Sequence, residues 1–352
     1  MKHQTTRYGE IPFYKIGTFG NTADAFISKK LFLEYKTKYS FPKKGDILIS
    51  ASGTIGRAVI YDGKPAYFQD SNIVWIDNDE TLVKNDFLFY AYSSVKWNTE
   101  HTTILRLYND NFRNTLIPLP PLNEQSAIAN ILSALDRYLC ALDALILKKE
   151  GVKKALSFEL LSQRKRLKGF NQAWQKVRLG DIANYLTSNL SAEQITQQGK
   201  IKVYDVNNFI GYTDTTFISD KPYISIVKDG SVGRVRILPP KTNILSTMGA
   251  LIANHRTTTE FLFYLLSNFD FKNFTSGSII PHIYFKDYKE KTIFLPPLNE
   301  QSAIANILSG LDNEITSLKN KKRQFENIKK ALNHDLMSAK IRVLKKSVLQ
   351  QK

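Results

Sequence analysis

Along two long stretches of this chain, apolar residues recur every three and four positions. Elsewhere they come in short runs broken by glycine, proline and asparagine. The first long stretch carries Ile128, Leu135 and Leu142 on one seam and Leu132, Leu139 and Ile146 on the other. The second carries Ile304, Leu311, Leu318 and Phe325, with Leu308 and Ile315 beside them. Lys149, Lys153, Lys322 and Lys329 interrupt the pattern. A seam kept over five heptads predicts a coiled coil. The plainer reading, two core helices each packed on its own domain, fits poorly because helices beyond about 25 residues are uncommon in compact domains. Phe325 and the lysines make the two stretches imperfect copies, so they are expected to pair with each other, antiparallel, rather than form a homodimer. The first helix is expected to run from Glu124 to Lys168.

Both stretches open on the same residues. LPPLNEQSAIANILS runs from Leu119 to Ser133 and again from Leu295 to Ser309, a register of 176 in a chain of 352 residues. The chain is one unit written twice. Paired prolines (Pro120 and Pro121, Pro296 and Pro297) exclude helix before each copy. Asn123 and Asn299 are the expected caps, and Glu124 and Glu300 suit the positive end of the helix dipole. Four segments follow: 1–118 and 170–294 as similar globular domains, 119–169 and 295–352 as the helices, the last with a C-terminal tail. Within the first domain the patterning predicts strands at Asp46–Ser50, Ala58–Tyr61 and Asn72–Ile76, then a helix at Asn85–Lys96. The second repeats the plan with strands near Val203–Val206, Tyr223–Val227 and Val235–Leu238 and a helix at Thr259–Phe269.

The formal net charge is +17, and basic residues exceed acidic ones in all four segments. A polyanion is the natural partner, with nucleic acid ahead of a membrane, although a merely soluble basic protein carries the same charge. Cys140 is the only cysteine, which excludes an internal disulfide and a thiolate-rich metal site. The five histidines have no metal-ligand spacing. No apolar run approaches membrane-spanning length and the first ten residues lack a signal-peptide core, so a cytoplasmic protein is expected. The chain has neither a GxxxxGK[ST] phosphate loop nor a glycine-rich S-adenosylmethionine loop after a first strand. Asp24, Glu34 and Lys36 loosely imitate a nuclease set but have no counterpart in the second domain. No bound cofactor, no metal and no catalytic residue are therefore expected.

Candidate chemistry sits at matching places in the two domains. Ser52-Gly53-Thr54-Ile55-Gly56-Arg57 aligns with Asp229-Gly230-Ser231-Val232-Gly233-Arg234, each a glycine turn that ends on an arginine. Glycines let backbone approach a ligand, and an arginine can hold phosphate or read guanine. Nearer the end of each domain, Arg106 and Tyr108 align with His282 and Tyr284. Base-reading candidates are Arg57, Gln69, Asn72, Arg106 and Tyr108 in the first domain, and Lys228, Arg234, Arg236, His282 and Tyr284 in the second. A plain hairpin, or a surface salt bridge, accounts for each of them individually just as well.

Taken together, ISASGTIGRAVIYDGKPAYFQDSNIVWID, KPYISIVKDGSVGRVRIL, GSIIPHIYFKDY and the doubled PLPPLNEQSAIANILSALD phrase resemble the DNA-specificity subunit of type I restriction–modification systems. That resemblance implies an α+β fold with two similar target-recognition domains, separated by an antiparallel two-helix coiled coil in an internal pseudo-twofold repeat. It implies that each domain reads one half of a bipartite DNA site. The helices would set the spacing and dock two modification subunits that methylate adenine with S-adenosylmethionine. Restriction subunits, using ATP and Mg, can join. At 1.5 Å per residue the expected helix is about 67 Å long, an upper bound of roughly 20 base pairs on the spacing. The second domain opens with the usual family phrase, WQKVRLGDI; the first enters at GEIPFY without it and is expected to lack its first strand. A truncated or silent specificity cassette, or a coiled-coil scaffold that binds protein, are the alternatives.

Overall fold

The computed structural model describes residues 4–68, 72–97 and 106–344. They form two compact units: residues 1–143 with 320–352, and residues 144–319. Each unit is α+β and contains one domain together with half of each long helix.

Unit 1 begins with β1 (Ile11–Tyr14), β2 (Ala25–Ile27) and α1 (Lys29–Lys38). It continues through β3 (Ile47–Ser50), β4 (Ala58–Ile60), β5 (Tyr67–Phe68) and β6 (Ile73–Trp75) to α2 (Asn85–Ser94), α3 (Asn109–Arg113) and α4 (Leu122–Leu161). Two three-stranded sheets result, ordered β2-β1-β5 and β4-β3-β6. As the central strand of its sheet, β3 is buried at all four positions, which explains why ILIS reads as a continuous run rather than alternating. Ile47 and Ile49 pack with Leu88 and Tyr92 of α2, so the helix covers one face of the sheet.

Unit 2 contains β7 (Gln175–Arg178), β8 (Ala183–Thr187), β9 (Ile201–Tyr204), β10 (Phe209–Thr213), β11 (Tyr223–Val227), β12 (Val235–Leu238), β13 (Thr242–Ile244) and β14 (Met248–Ala253). Then come α5 (Thr259–Ser267), β15 (Thr275–Ser276), β16 (His282–Ile283), α6 (Phe285–Tyr288), β17 (Thr292–Leu295) and α7 (Leu298–Met337). Its sheets β10-β9-β13 and β12-β11-β14-β8 repeat the plan of unit 1 with one strand added, and β17 pairs with β7. Within the two domains, the expected strands and helices fall within a residue or two of those observed, an ordinary error for element ends.

In both units α4 and α7 lie antiparallel. All twelve apolar seam residues are buried or half-buried. Ile128 and Leu132 pack with Leu336 and Met337 in unit 1. Leu160 packs with Ile304 and Leu308 in unit 2. The interrupting lysines have partners across the seam: Lys329 binds Asp136 and Lys322 lies 2.7 Å from Asp143, while Lys153 and Lys149 reach Asp312 at 2.5 Å and Glu314 at 2.8 Å. Tyr90 and Tyr264 donate to Asp136 and Asp312, and burial, reinforced by those bonds, pushes both phenols well above their usual pKa.

Three sequence expectations change at the helix ends. Asn123 and Asn299 do not cap from outside; the helices start at Leu122 and Leu298, two residues before Glu124 and Glu300, with the Gln125 and Gln301 N–H groups donating to Pro121 and Pro297. From inside the first turn, each asparagine side chain accepts from the next N–H, one of the donors a helix start leaves open. The first helix stops at Leu161 rather than Lys168. Gln163 turns left-handed at φ 62° and the Lys165 N–H returns to the Glu159 carbonyl. The second copy ends the same way, with Ala339 at φ 55° and Ile341 donating to Asp335.

Those turns carry an arginine back to the start of the opposite helix. Glu124 is 2% exposed and is gripped by the Nε and Nη2 atoms of Arg342. Glu300 is 0% exposed and takes the Arg166 fork at 3.1 and 2.6 Å plus the Trp174 indole N–H at 3.0 Å. Both pairs sit at the repeat register, so one ion pair is built twice. The two glutamates are therefore fork partners as well as dipole partners.

Leu308→Ala should lower the unfolding free energy by about 2–5 kcal/mol in a urea titration, because the side chain is fully enclosed. The Arg342 fork holds the Glu124 carboxyl below its usual range, so its stabilisation is present above the unfolded carboxylate pKa of about 4.3 and is lost as pH falls through the lower folded value. The stability gap between the wild type and Arg342→Ala should therefore be widest near neutral pH and close at acid pH, as followed by urea titrations across pH.

Candidate nucleic-acid interface

In unit 1 the segment joining β3 to β4 is a compact knot. Gly53 and Gly56 have φ 66° and 82°, which glycine alone adopts without strain. The Ser50 hydroxyl donates to the Thr54 carbonyl and accepts the Arg57 N–H at 3.0 Å. A side chain at Gly56 would strike the Trp97 indole at 2.3 Å, so this ring lies directly over the turn. A second chain segment is stitched alongside: Ser52 bridges to Arg106, the Leu107 N–H donates to Ala51 at 2.9 Å, and the Ser52 hydroxyl donates to the Asn72 amide oxygen at 2.7 Å. Arg57, Asn72 and Arg106 thus belong to one cluster.

Unit 2 builds the same knot from different residues between β11 and β12. Gly230 and Gly233 have φ 85° and 80°, and the Phe271 ring takes the place of Trp97, 2.6 Å from where a Gly233 side chain would begin. Asp229 bridges to His282, whose Nδ1 lies 2.7 Å from the Asp229 carboxylate. The Gly230 N–H donates to Pro281, and the Ile283 N–H to Lys228, both at 2.9 Å. Lys228 and His282 are therefore adjacent.

The cations are anchored but not consumed. Arg57 is exposed and donates one N–H to the Phe19 carbonyl at 2.9 Å. Arg234 donates to the Asn207 side chain at 3.0 Å and Arg236 to its carbonyl at 2.9 Å, with the Arg236 guanidinium 5.4 Å from the Tyr204 ring centre. A guanidinium has five donors, so each arginine keeps several for an anion or a base edge. Tyr108 and Tyr284 are exposed beside Arg106 and His282, with Lys286 5.6 Å from the Tyr284 ring centre. Gln69 lies outside the described residues.

Sequence reasoning missed the aromatic covers, Trp97 and Phe271, and the anchors Phe19, Asn207 and Tyr204. All five are distant in sequence from the turns they serve. It also missed that Asp229 places an acid among the cations of unit 2. The only available signal was that Asp229 aligns with Ser52. Among the described residues no group of three or more His, Cys, Asp or Glu could hold a metal ion, and no helix is long and apolar enough to cross a membrane. Asp24 pairs with Lys15 at 2.8 Å, a surface salt bridge.

Residues 1–149 and 171–327 match the family described as the type I restriction modification DNA specificity domain. A putative type I restriction enzyme specificity subunit of Haemophilus influenzae is 65% identical over 133 residues, which is 38% of this chain and 34% of that protein. This chain thus aligns with about a third of that relative's length. A putative specificity subunit of Methanocaldococcus jannaschii is 28% identical over 335 residues, 85% of this chain and 79% of that protein. The crystal structure of a type I restriction–modification S subunit from M. genitalium shares the fold, with a TM-score of 0.63 and 21% identity, and covers 96% of this chain and 91% of its own. Since the matched segments take in both repeats and most of the chain, the protein belongs to the type I restriction–modification DNA-specificity family.

Proposed function

We propose that each unit reads one half of a bipartite double-stranded DNA site through its glycine-turn cluster, and that the chain itself performs no catalysis. The observation that carries this reading is the knot built twice with different side chains. Both copies keep the paired left-handed glycines, the aromatic cover and the stitched second segment. Ser52 and Arg106 in one copy give way to Asp229 and His282 in the other, Lys228 and Arg236 are particular to the second, and the arginine that ends each turn, Arg57 or Arg234, is kept. A constant frame with exchanged polar ends is what two modules need if they read different bases. Tyr108 and Tyr284 suit stacking or phosphate contacts, and Gln69 remains an adenine-reading candidate.

Two modification subunits are the proposed partners, each supplying S-adenosylmethionine chemistry, with restriction subunits bringing ATP and Mg. Support comes from residues identical in both copies without any internal need to be so. Leu122, Asn130 and Ile131, and their repeats Leu298, Asn306 and Ile307, are exposed in both units. Identity at buried positions follows from shared packing, whereas identity at exposed ones fits one kind of partner docking twice. Each long helix starts in one unit and ends in the other, and forty residues of helix measure about 60 Å, the scale on which the half-site spacing would be set.

Arg106→Ala should relax base preference in one half-site and leave the other unchanged, as read by selection from a randomised DNA library. Uniform weakening across all sequences would mark Arg106 as a phosphate contact. Ile131→Asp and Ile307→Asp should each lower the number of bound modification subunits from two to one, as measured by native mass spectrometry of the co-expressed complex.

A further inference from the structure

His282 holds the place in unit 2 that Arg106 holds in unit 1, and the two side chains offer different chemistry. A guanidinium has only donors. A neutral imidazole has one nitrogen for each role, and the bond made by one nitrogen decides what the other can do. The surroundings of His282 make that choice. Its backbone is tied on both sides: Ser276 pairs with it across β15 and β16, and Asp229 bridges to it from the glycine turn. The flanking Pro281 carbonyl accepts from Gly230, and the Ile283 N–H donates to Lys228. Its Nδ1 lies 2.7 Å from a carboxylate oxygen of Asp229. An ionised carboxylate only accepts, so the proton of the neutral ring sits on Nδ1 and Nε2 keeps its lone pair.

Among the described residues no hydrogen bond reaches Nε2, and the side chain is 34% exposed. Gly277 keeps that edge of the ring clear. Its φ is 89°, and a side chain there would come within 3.0 Å of Cδ2, the carbon bonded to Nε2. The Tyr284 ring lies within 19° of parallel to the imidazole, which leaves the edge rather than the face for a ligand.

Asp229 also selects the class of ligand. A carboxylate bonded to the ring repels phosphate, so a backbone contact of the kind an arginine makes is disfavoured here. A lone pair facing a groove matches instead a base with an exocyclic amino group, adenine through N6 or cytosine through N4. In unit 1 the place of Asp229 is taken by Ser52, whose hydroxyl donates to Asn72, and Arg106 brings donors that suit the O6 and N7 atoms of guanine.

We propose that His282 reads the amino group of an adenine or a cytosine through Nε2, and that Asp229 is the positioning residue that makes it an acceptor. The inference rests on the reading of unit 2 as a DNA-reading module. It gives the two units opposite polarity at one equivalent place, an acceptor in one and donors in the other.

The test begins with the full chain and a randomised DNA library, selected with wild type and with His282→Ala. The half-site position whose preference disappears in His282→Ala is the one that His282 faces. Duplexes are then made in which the base there lacks only its amino group, purine for adenine or pyrimidin-2-one for cytosine, and their affinities are measured with both proteins. Deleting the amino group should weaken wild type about fivefold more than it weakens His282→Ala, the scale of one hydrogen bond. Asp229→Ser, which installs the residue of the first copy, should reduce that coupling and leave the preferences of the other half-site unchanged. The proposal is overturned if His282→Ala loses no preference while the bipartite preference persists, which leaves unit 2 a reader by other residues. Coupling to a base acceptor instead, as shown by 7-deazaguanine, means that the ring donates and overturns it too, as does a coupling that Asp229→Ser leaves intact. A wild-type selection without any bipartite preference overturns the DNA-reading assignment itself, and this inference with it.

Discussion

A buried carboxylate at the first turn of each long helix is the constraint on which the architecture rests. Glu124 and Glu300 are enclosed, and an enclosed charge without a partner is costly enough to unfold a segment. Each finds its counter-charge just past the end of the opposite helix, Arg342 for one and Arg166 for the other. Meeting that requirement twice sets the antiparallel direction and the register of the helix pair. It also makes the left-handed turns at Gln163 and Ala339 necessary, because without them the arginines could not come back.

Around this frame the repeat is kept where geometry demands it and relaxed elsewhere. Asp136 with Lys329 and Tyr90 is matched by Asp312 with Lys153 and Tyr264. Gln125 and Gln301 each tie the start of a long helix to the loop before the domain helix: Gln125 bonds Leu82 and Lys84 there and Pro120 just before its own helix, and Gln301 bonds Arg256 and Thr258 there and Pro296 before its own. By contrast, the ion pair Lys149–Glu314 is replaced in register by the packed rings of Tyr138 and Phe325. A salt bridge between partly exposed groups contributes little, so the exchange costs little and makes the two halves of the seam chemically distinct.

The same economy governs the glycine turns. Their backbone is dictated by two positive φ values and by an aromatic ring pressed on the second glycine, which leaves the flanking side chains free to vary. The side chain can change from Arg106 to His282 while the frame is kept, because the backbone bonds of their neighbours, Leu107 and Ile283, stitch the second segment to each turn.

The sequence alone determined whatever depends on local spacing. The repeat register, the twelve seam positions, the short strands and the glycine turns all follow from period and residue type within a few turns of chain. It misplaced the helix ends, because the terminators Gln163 and Ala339 are not glycine and their conformation is imposed by the returning arginines, Arg166 and Arg342. It placed Arg57 near the right turn but could not tell that Phe19 would hold it, nor that Trp97 would cover Gly56. Only the tertiary structure decided these, since each depends on groups brought together from tens to hundreds of residues apart. Glu124 and Arg342, 218 positions distant, leave no local trace in either neighbourhood.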